Sequence, residues 1–191
     1  MLWRQGLARN AAFYCTVPRS VLRPLALRAL FCWTPKSHTL FADAAFAKMA
    51  AMTPTDDTIR QILTDTRVIA LVGWSAKPAR PSHGVAAYLA RRGYRVIPVN
   101  PGHAGMVTAW GETVRASLSD ITEPVDMVDI FRNPDAVEPV VDEALTVLPA
   151  LKTVWMQLDV VNEAAAAKAR AAGMQVVMDR CPAIEIPRLL G

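Results

Sequence analysis

Five short apolar runs punctuate residues 53–191 and alternate with more polar segments. The runs are VIALVG (68–73), YRVIPVN (94–100), VDMVDIF (125–131), TVWMQL (153–158) and MQVVMD (174–179). They are apolar on both faces, which is typical of parallel strands that helices cover on each side. We therefore predict five strands buried within one sheet.

The segments between the runs have the spacing of helices. Helices are predicted over residues 82–92, 136–148 and 162–172. Gly93 and Gly173 follow the first and the last of these as helix stops. Asn162 is predicted to cap the last helix, with Glu163 in its first turn. This alternation predicts the α/β class, as a single Rossmann-like domain with a doubly wound, mostly parallel sheet and right-handed crossovers.

Charge is distributed unevenly along the chain. Residues 1–48 carry seven basic side chains and one acidic side chain, a net charge of +6, whereas the other 143 residues carry a net charge of −2. The basic balance therefore belongs to the N-terminal segment, and the folded part lacks the basic excess that nucleic acid or membrane binding uses. Arg23 and Arg28 interrupt the apolar stretch of that segment, so a spanning helix does not fit it.

Two interpretations of residues 1–52 remain open. Their Arg-rich, acid-poor composition is typical of an organelle transit peptide. Alternatively, translation begins at a methionine just before Thr53, which can cap a helix opened by Pro54. We favour the later start. In both cases residues 1–52 are a basic N-terminal extension, disordered or wrongly assigned to the protein, and residues 53–191 form the domain.

Cysteine usage indicates a reducing, cytoplasmic compartment. Cys15 and Cys32 lie in the extension, which leaves Cys181 alone in the domain. The domain therefore has neither a disulfide framework nor a CxxC pair, and we predict no metal site.

Ligands of doubly wound sheets bind beyond the carboxyl ends of the strands. A dinucleotide site would need a GxGxxG turn after the first strand and a carboxylate after the second. Here Gly73 is followed by Trp74 and Ser75, and Asn100 ends the second strand. NAD binding in its usual mode is therefore disfavoured, and the missing P-loop pattern weighs against ATP hydrolysis.

The loop after the first strand carries polar and cationic groups instead of glycines. Ser75, Lys77 and Arg80 precede Ser82 and His83 at the start of a helix. Free N–H groups at a helix start, together with two cations, make a workable anion site. The alternative, in which the cations are solvated and Ser82 is only a helix cap, stays equally open from this loop alone.

Three stretches that follow one another along the chain, at residues 72–101, 125–137 and 154–185, resemble motifs of the small stand-alone CoA-binding proteins. These proteins are similar to the N-terminal CoA-binding domain of the succinyl-CoA synthetase alpha subunit. The resemblance extends from about residue 59 to residue 190. It implies that CoA lies across the strand ends, with its phosphates and adenine at the first two loops and its pantetheine reaching toward the later ones.

The resemblance also assigns residues to the parts of CoA. The phosphate-bearing part would contact Gly73, Ser75, Lys77, Arg80, Ser82 and His83, the adenosine would contact Val99, Asn100 and Pro101, and the pantetheine arm would contact Phe131, Arg132 and Pro134. Cationic side chains suit a ligand that has a 3′-phosphate as well as a pyrophosphate. Two residues depart from the pattern. Trp74 stands where a smaller apolar residue is expected and would narrow the groove or stack on the ligand, and Asp159 stands where glycine is common.

No catalytic residue is predicted. His38 lies in the extension, while His83 and His103 lie in ligand loops, where a ligand contact or a solvated side chain is favoured over a phosphorylated nucleophile. Cys181 has two interpretations. Arg180 could lower its pKa and make it a reactive thiol, or it is a small buried residue at the start of the last helix.

The sequence therefore predicts a CoA-binding module with no catalysis of its own. Three alternatives stay open. The first is a thiol-redox protein that uses Cys181 against the CoA thiol, and the second is a CoA-binding subunit whose protein partner carries an acyl-CoA synthetase-type catalytic domain. The third is an NAD-type oxidoreductase, which the missing glycines and carboxylate already disfavour. Gln157 would either reach the pantetheine amide or satisfy backbone groups at a strand end. Trp155 is assigned to the core, and Trp110 to the sheet edge.

Overall fold

The computed structural model describes residues 53–191. The predictions for residues 1–52, including those for Cys15, Cys32 and His38, lie outside the described residues. None of the helices within residues 53–191 combines the length and the apolar content needed to cross a bilayer.

Five parallel strands form one sheet. They are β1 (Val68–Val72), β2 (Arg95–Val99), β3 (Met127–Ile130), β4 (Thr153–Met156) and β5 (Gln175–Val177), in the spatial order β2-β1-β3-β4-β5. Every neighbouring pair is parallel. The predicted Rossmann-like α/β fold is therefore confirmed. All five apolar runs form strands. Apolar residues suit these strands because helices cover both faces of the sheet, and almost every strand residue is therefore buried.

Helices cover both faces of the sheet. They are α1 (Asp56–Asp65), α2 (Pro81–Arg91), α3 (Val137–Val147), α4 (Glu163–Ala171) and α5 (Pro182–Leu190), with single 3₁₀ turns at Pro101–His103, Leu118–Asp120 and Pro134–Ala136. One core cluster joins Leu71 and Trp155 to α1, α2 and α5. The other joins Val128 and Val154 to α3 and α4. The fold is thus three layers with a core on each side of the sheet.

The predicted helix ends are confirmed at one helix start and two helix stops. Asn162 Oδ1 accepts a hydrogen bond from the Ala165 N–H at 2.8 Å, and Gly93 and Gly173 follow α2 and α4 with φ of 93° and 84°. These values lie in the left-handed region, which glycine adopts without steric cost.

The predicted cap of the first helix is wrong. Thr55, not Thr53, caps α1, and its Oγ1 accepts the Thr58 N–H at 3.2 Å. Asp56 and Asp57 then occupy the first turn. There their carboxylates interact favourably with the positive end of the helix dipole.

The strand β2 lies at the edge of the sheet and is covered by the segment that follows it. Trp110 Nε1 donates to the Val96 carbonyl at 3.0 Å, so this indole does cover the edge. The Arg115 N–H donates to the Pro98 carbonyl at 2.9 Å, and the Arg115 carbonyl accepts the Asn100 N–H at 2.9 Å. Proline is tolerated in this strand because edge strands do not need every backbone donor.

The strand order reverses between β1 and β3. From β1 the chain continues through α2 to β2, and from β3 it continues through α3 to β4 on the other side. The loops after β1 and β3 therefore diverge and leave a crevice at the carboxyl ends of these two strands.

Two aspartates adopt left-handed backbone conformations at the ends of β4 and β5. Asp159 has φ of 63° and Asp179 has φ of 53°. The Asp159 N–H donates to Asp179 Oδ1 at 2.9 Å, which ties the two loops together. Asp159 thus takes the conformation that glycine would take, so its departure from the family pattern leaves the turn intact.

The positive φ of Asp159 predicts different stabilities for two variants at this position. Asp159→Gly should be more stable than Asp159→Ala by about 1 kcal/mol, because only glycine lacks the Cβ penalty at positive φ. Urea unfolding of both variants measures this difference. At Asp142, inside α3, the ranking of glycine and alanine should be reversed by a similar amount. The same ranking at both positions would contradict the assigned conformation.

Candidate functional site

A cavity of about 790 Å³ occupies the crevice at the carboxyl ends of the strands. Its walls come from the loops after β1, β2, β3 and β4 and from the starts of α2 and α5. The lining residues are Gly73, Ser75, Arg80, Pro81, Ser82, Val85, Asn100, Phe131, Arg132, Asn133, Pro134, Ala136, Gln157, Leu158, Asp159, Val160 and Cys181.

Most residues selected from the sequence meet at this cavity. The ones that line it are Gly73, Ser75, Arg80, Ser82, Asn100, Phe131, Arg132, Pro134 and Cys181. They come from loops that are distant in sequence, and the parallel sheet brings them to one edge.

Four selected residues do not line the cavity. Lys77 is exposed in the first loop, and its N–H donates to Ser75 Oγ at 3.3 Å. His83 Nδ1 lies 3.2 Å from the Ser75 carbonyl oxygen, so this ring supports the first loop. The Val99 side chain is buried in the core, and Pro101 is exposed at the start of its 3₁₀ turn.

Asn100 connects the loop after β2 to the loop after β1. Its Nδ2 donates to the Trp74 carbonyl at 2.6 Å, and its Oδ1 accepts the Gly102 N–H at 2.8 Å. Both ends of the amide are thereby used. A carboxylate here could not donate to the Trp74 carbonyl, so the amide is what this loop contact requires.

Gly73 is required by a close backbone approach. It has φ of 89°, and a Cβ at this position would overlap the carbonyl oxygen of Phe131. Its N–H donates to the Val99 carbonyl at 2.9 Å. Gly73 therefore holds the ends of β2 and β3 close to the end of β1.

Trp74 does not line the cavity, so the expectation that it narrows the groove or stacks on the ligand is wrong. Its side chain is 3% exposed and packs in the core. Its ring stacks on His83 at a centroid distance of 6.0 Å and meets His103 edge-on at 5.7 Å. The side chain points inward from the first loop and anchors that loop to the core.

The cavity wall attracts anions. The helix α2 begins at Pro81 with no side-chain cap, which leaves N–H groups of its first turn free of such a partner. The helix dipole adds partial positive charge at this point. Arg80 and Arg132 line the same cavity, and among residues 53–191 neither of them makes an ion pair.

Asp129 is the main feature that the sequence reading missed. It is fully buried in β3, between Leu71 of β1 and Trp155 of β4. Gln157 Nε2 donates to both of its carboxylate oxygens, at 2.9 and 3.0 Å. Burial raises the pKa of Asp129 to about 7, and the hydrogen bond from Gln157 limits this rise. The signal was the second acid of the run VDMVDIF, which stands between Val128 and Ile130 in the middle of the strand, because buried carboxylates need a polar partner.

The Gln157 side chain does not satisfy backbone groups within the described residues, and its contact with the pantetheine amide stays a prediction. Its N–H groups face Asp129 rather than backbone carbonyls, while the residue itself lines the cavity. Trp155, in contrast, is fully buried as expected.

Cys181 lies on the cavity wall as a buried residue at the start of α5, so of its two interpretations the structure favours the buried residue over a thiol activated by Arg180. Arg180 Nη1 pairs with Glu185 Oε1 at 3.0 Å. Burial raises the pKa of the Cys181 thiol, and the negative charges of Asp129 and Glu185 raise it further. The thiol therefore stays protonated over a wider pH range than an exposed cysteine.

A family model described as a CoA binding domain matches residues 67–187. The chain belongs to this CoA-binding domain family. It is 36% identical over 129 residues to the uncharacterized protein YneT of Bacillus subtilis (strain 168), and the match covers 67% of this chain and 91% of that protein.

Solved structures share the fold. The cell-free ID.343 protein of Thermus thermophilus is 38% identical, with a TM-score of 0.67, over 71% of this chain and 99% of that one. An acetyl-coenzyme A synthetase 1 of Ca. Korarchaeum cryptofilum, described as dinucleotide forming, is 24% identical, with a TM-score of 0.51, over 64% of this chain and 27% of that one. The second similarity concerns the fold alone.

The raised pKa of Asp129 predicts a pH-dependent stability. Its folded pKa of about 7 lies above its ordinary value of 3.8, so the folded state binds this proton more tightly than the unfolded state does. The stabilisation is complete below about pH 4 and is lost as the pH rises to about 7. Relative to Asp129→Asn, the wild-type free energy of unfolding should fall by about 3 kcal/mol between pH 4 and pH 7.

Urea unfolding of both proteins across this pH range measures the difference. Both proteins share the other carboxyl groups, so the contribution of these groups to the pH dependence of the free energy of unfolding cancels in the comparison. A difference that does not change with pH would show that Asp129 titrates as an ordinary aspartate.

Proposed function

We propose that this protein binds CoA in the cavity at the strand ends, without catalysing a reaction of its own. The observation that carries the proposal is the combination, in one cavity, of the uncapped start of α2 with Arg80 and Arg132, which have no acidic partner within residues 53–191. Membership of the CoA-binding domain family supports it.

The first two loops would hold the phosphate-bearing end. Arg80 and the Ser82 N–H at the uncapped start of α2 suit an anion with several phosphate oxygens. Lys77 lies in the same loop and remains available to a phosphate outside the cavity. Asn100 and Pro101 would border the adenosine.

The pantetheine arm would follow the later loops. Phe131 and Pro134 offer apolar surface beside Arg132, and Leu158 and Val160 continue this surface past β4. A long flexible arm with two amides matches a groove that alternates apolar and polar walls. The arm would end near Gln157 and Cys181.

NAD fits the same site poorly. The position after β2 holds Asn100, whose amide is already bonded to the Trp74 carbonyl and the Gly102 N–H. No carboxylate is therefore offered at this position for ribose hydroxyls.

Titration calorimetry with CoA, acetyl-CoA and NAD under reducing conditions tests the proposed function. We expect micromolar binding of CoA and no heat from NAD, because the site offers cations but no ribose-binding acid after β2. Binding of NAD in the absence of CoA binding would overturn the proposal.

Variants of the first loop refine the same test. Lys77→Ala and Arg80→Ala should each weaken CoA about tenfold, as expected for the loss of a charged contact. Dephospho-CoA should lose less affinity if the contact is to the 3′-phosphate, whereas equal losses assign it to the pyrophosphate. Arg91→Ala, at the exposed opposite end of α2, is the matched control and should leave the affinity unchanged.

A second candidate function uses Cys181, because this residue lines the cavity proposed for the thiol arm. The thiolate would attack one sulfur of CoA disulfide, form a Cys181–CoA mixed disulfide and release one CoA thiolate. The raised pKa of Cys181 slows this step at neutral pH, and a reducing cytoplasm would reverse it. We therefore rank it below simple binding.

Intact mass measured after incubation with CoA disulfide tests this second function. We expect little adduct at neutral pH and more as the pH rises, with no adduct in Cys181→Ser. Cys181→Ser should bind reduced CoA as well as the wild type does. Rapid, complete adduct formation at neutral pH would reverse our ranking.

A further inference from the structure

The buried pair of Asp129 and Gln157 connects the sheet interior to the cavity. Asp129 has no exposed surface. Gln157 is almost completely buried, and its remaining exposed surface contributes to the cavity wall. The two residues are 28 positions apart and lie at the ends of neighbouring strands. An apolar pair would pack here at lower cost, because burying a carboxylate is unfavourable even when it is hydrogen-bonded.

The pair fixes the orientation of the Gln157 amide. An ionised carboxylate can only accept hydrogen bonds, and Nε2 is the only donor on the glutamine side chain. Both Asp129 oxygens accept from this nitrogen, at 2.9 and 3.0 Å. The carbonyl oxygen Oε1 lies on the other branch of the planar amide, and it makes no hydrogen bond among residues 53–191. The group that Gln157 leaves for a ligand is therefore an acceptor.

We infer that Gln157 is a specificity-determining residue for the pantetheine arm of CoA. Asp129 is a positioning residue, because it holds the side-chain amide of Gln157 in the orientation that this specificity requires. Gln157 Oε1 accepts a hydrogen bond from an amide N–H of the arm, and Asp129 prevents the amide from turning its N–H groups toward the ligand. The inference rests on the proposed function, since it concerns the same cavity and the same ligand.

Protonation of Asp129 would remove this selection. A neutral carboxyl group has an O–H donor, and this donor competes for Gln157 Oε1. The Gln157 amide then turns, so that Nε2 faces the cavity and repels the N–H of the arm. The affinity for CoA should therefore fall as the pH falls through the pKa of Asp129, which burial raises to about 7.

Other ionisable groups lie near this face, and two of them, Arg80 and Arg132, line the cavity without an acidic partner among residues 53–191. The strands beside Asp129 present Leu71 and Trp155, which do not ionise. On α2, His83 bonds to the Ser75 carbonyl. On α5, Glu185 pairs with Arg180 and Arg188, and Cys181 is the remaining group whose charge state is coupled to Asp129. Because the Cys181 pKa is raised, this thiol stays neutral where Asp129 titrates.

The first experiment measures CoA and adenosine 3′,5′-bisphosphate, which lacks the pantetheine arm, against wild-type protein and Gln157→Leu near pH 8. We expect Gln157→Leu to weaken CoA about 5- to 10-fold and to leave the bisphosphate unchanged, as for the loss of one hydrogen bond to the arm. The matched control is Gln175→Leu, at the exposed first position of β5 and the opposite end of the sheet. It should change neither affinity.

The second experiment needs no disruptive variant. CoA affinity of wild type and of isosteric Asp129→Asn is measured from about pH 8.5 to about pH 5.5, so that titration of the ligand phosphates cancels. The wild type should lose about 5- to 10-fold more affinity than Asp129→Asn over this range. The asparagine in this variant cannot change its charge, so it cannot switch the Gln157 amide.

The outcomes separate the two proposals. If the wild type binds neither CoA nor the bisphosphate, the proposed function fails and this inference fails with it. If the wild type binds CoA but Gln157→Leu loses the two ligands equally, or loses neither, only the role of Gln157 is overturned. If the pH profiles of wild type and Asp129→Asn run parallel, the positioning role of Asp129 is overturned.

Discussion

The absence of a side chain at Gly73 is the constraint on which the rest of the site depends. Gly73 ends β1, donates its N–H to the carbonyl of Val99, and lies against the carbonyl of Phe131, where a Cβ cannot fit. The ends of three strands therefore converge on one backbone unit. Its positive φ also turns the chain so that Trp74 enters the core and the following polar residues face the crevice. A larger residue would separate the loops that together enclose the cavity.

The sequence predicted the sheet well because strand burial is a local signal: each run is apolar on both faces, and glycine follows two of the helices. It failed where the outcome depends on three-dimensional neighbours. Thr53 and Thr55 have the same capping chemistry, and only the helix start distinguishes them. The core position of Trp74 depends on the rings of His83 and His103. The hydrogen bonds between Gln157 and Asp129 exist because β3 and β4 are neighbours in the sheet, and the order of the elements along the chain does not reveal this contact.

Charged side chains join helices in the scaffold, whereas those at the cavity face the crevice. In the scaffold, Arg188 bridges Asp56 of α1 and Glu185 of α5, which joins these two helices. At the cavity, Arg80 and Arg132 have no acidic partner among the described residues. The carboxyl group of Asp129 is buried behind the cavity wall. Two cations and a buried acid meet at this edge, which is a pattern expected where a surface is kept available for a ligand.

The covering of β2 has a consequence for the behaviour of the protein in concentrated solution. An uncovered strand edge is a template on which another chain can pair. Here the backbone of Arg115 and the indole of Trp110 already use carbonyls of β2, and Pro98 offers no donor. At the opposite edge, β5 has only three residues. The sheet thus ends in one strand that is occupied and one that is too short to recruit a neighbour, which protects it against growth into aggregates.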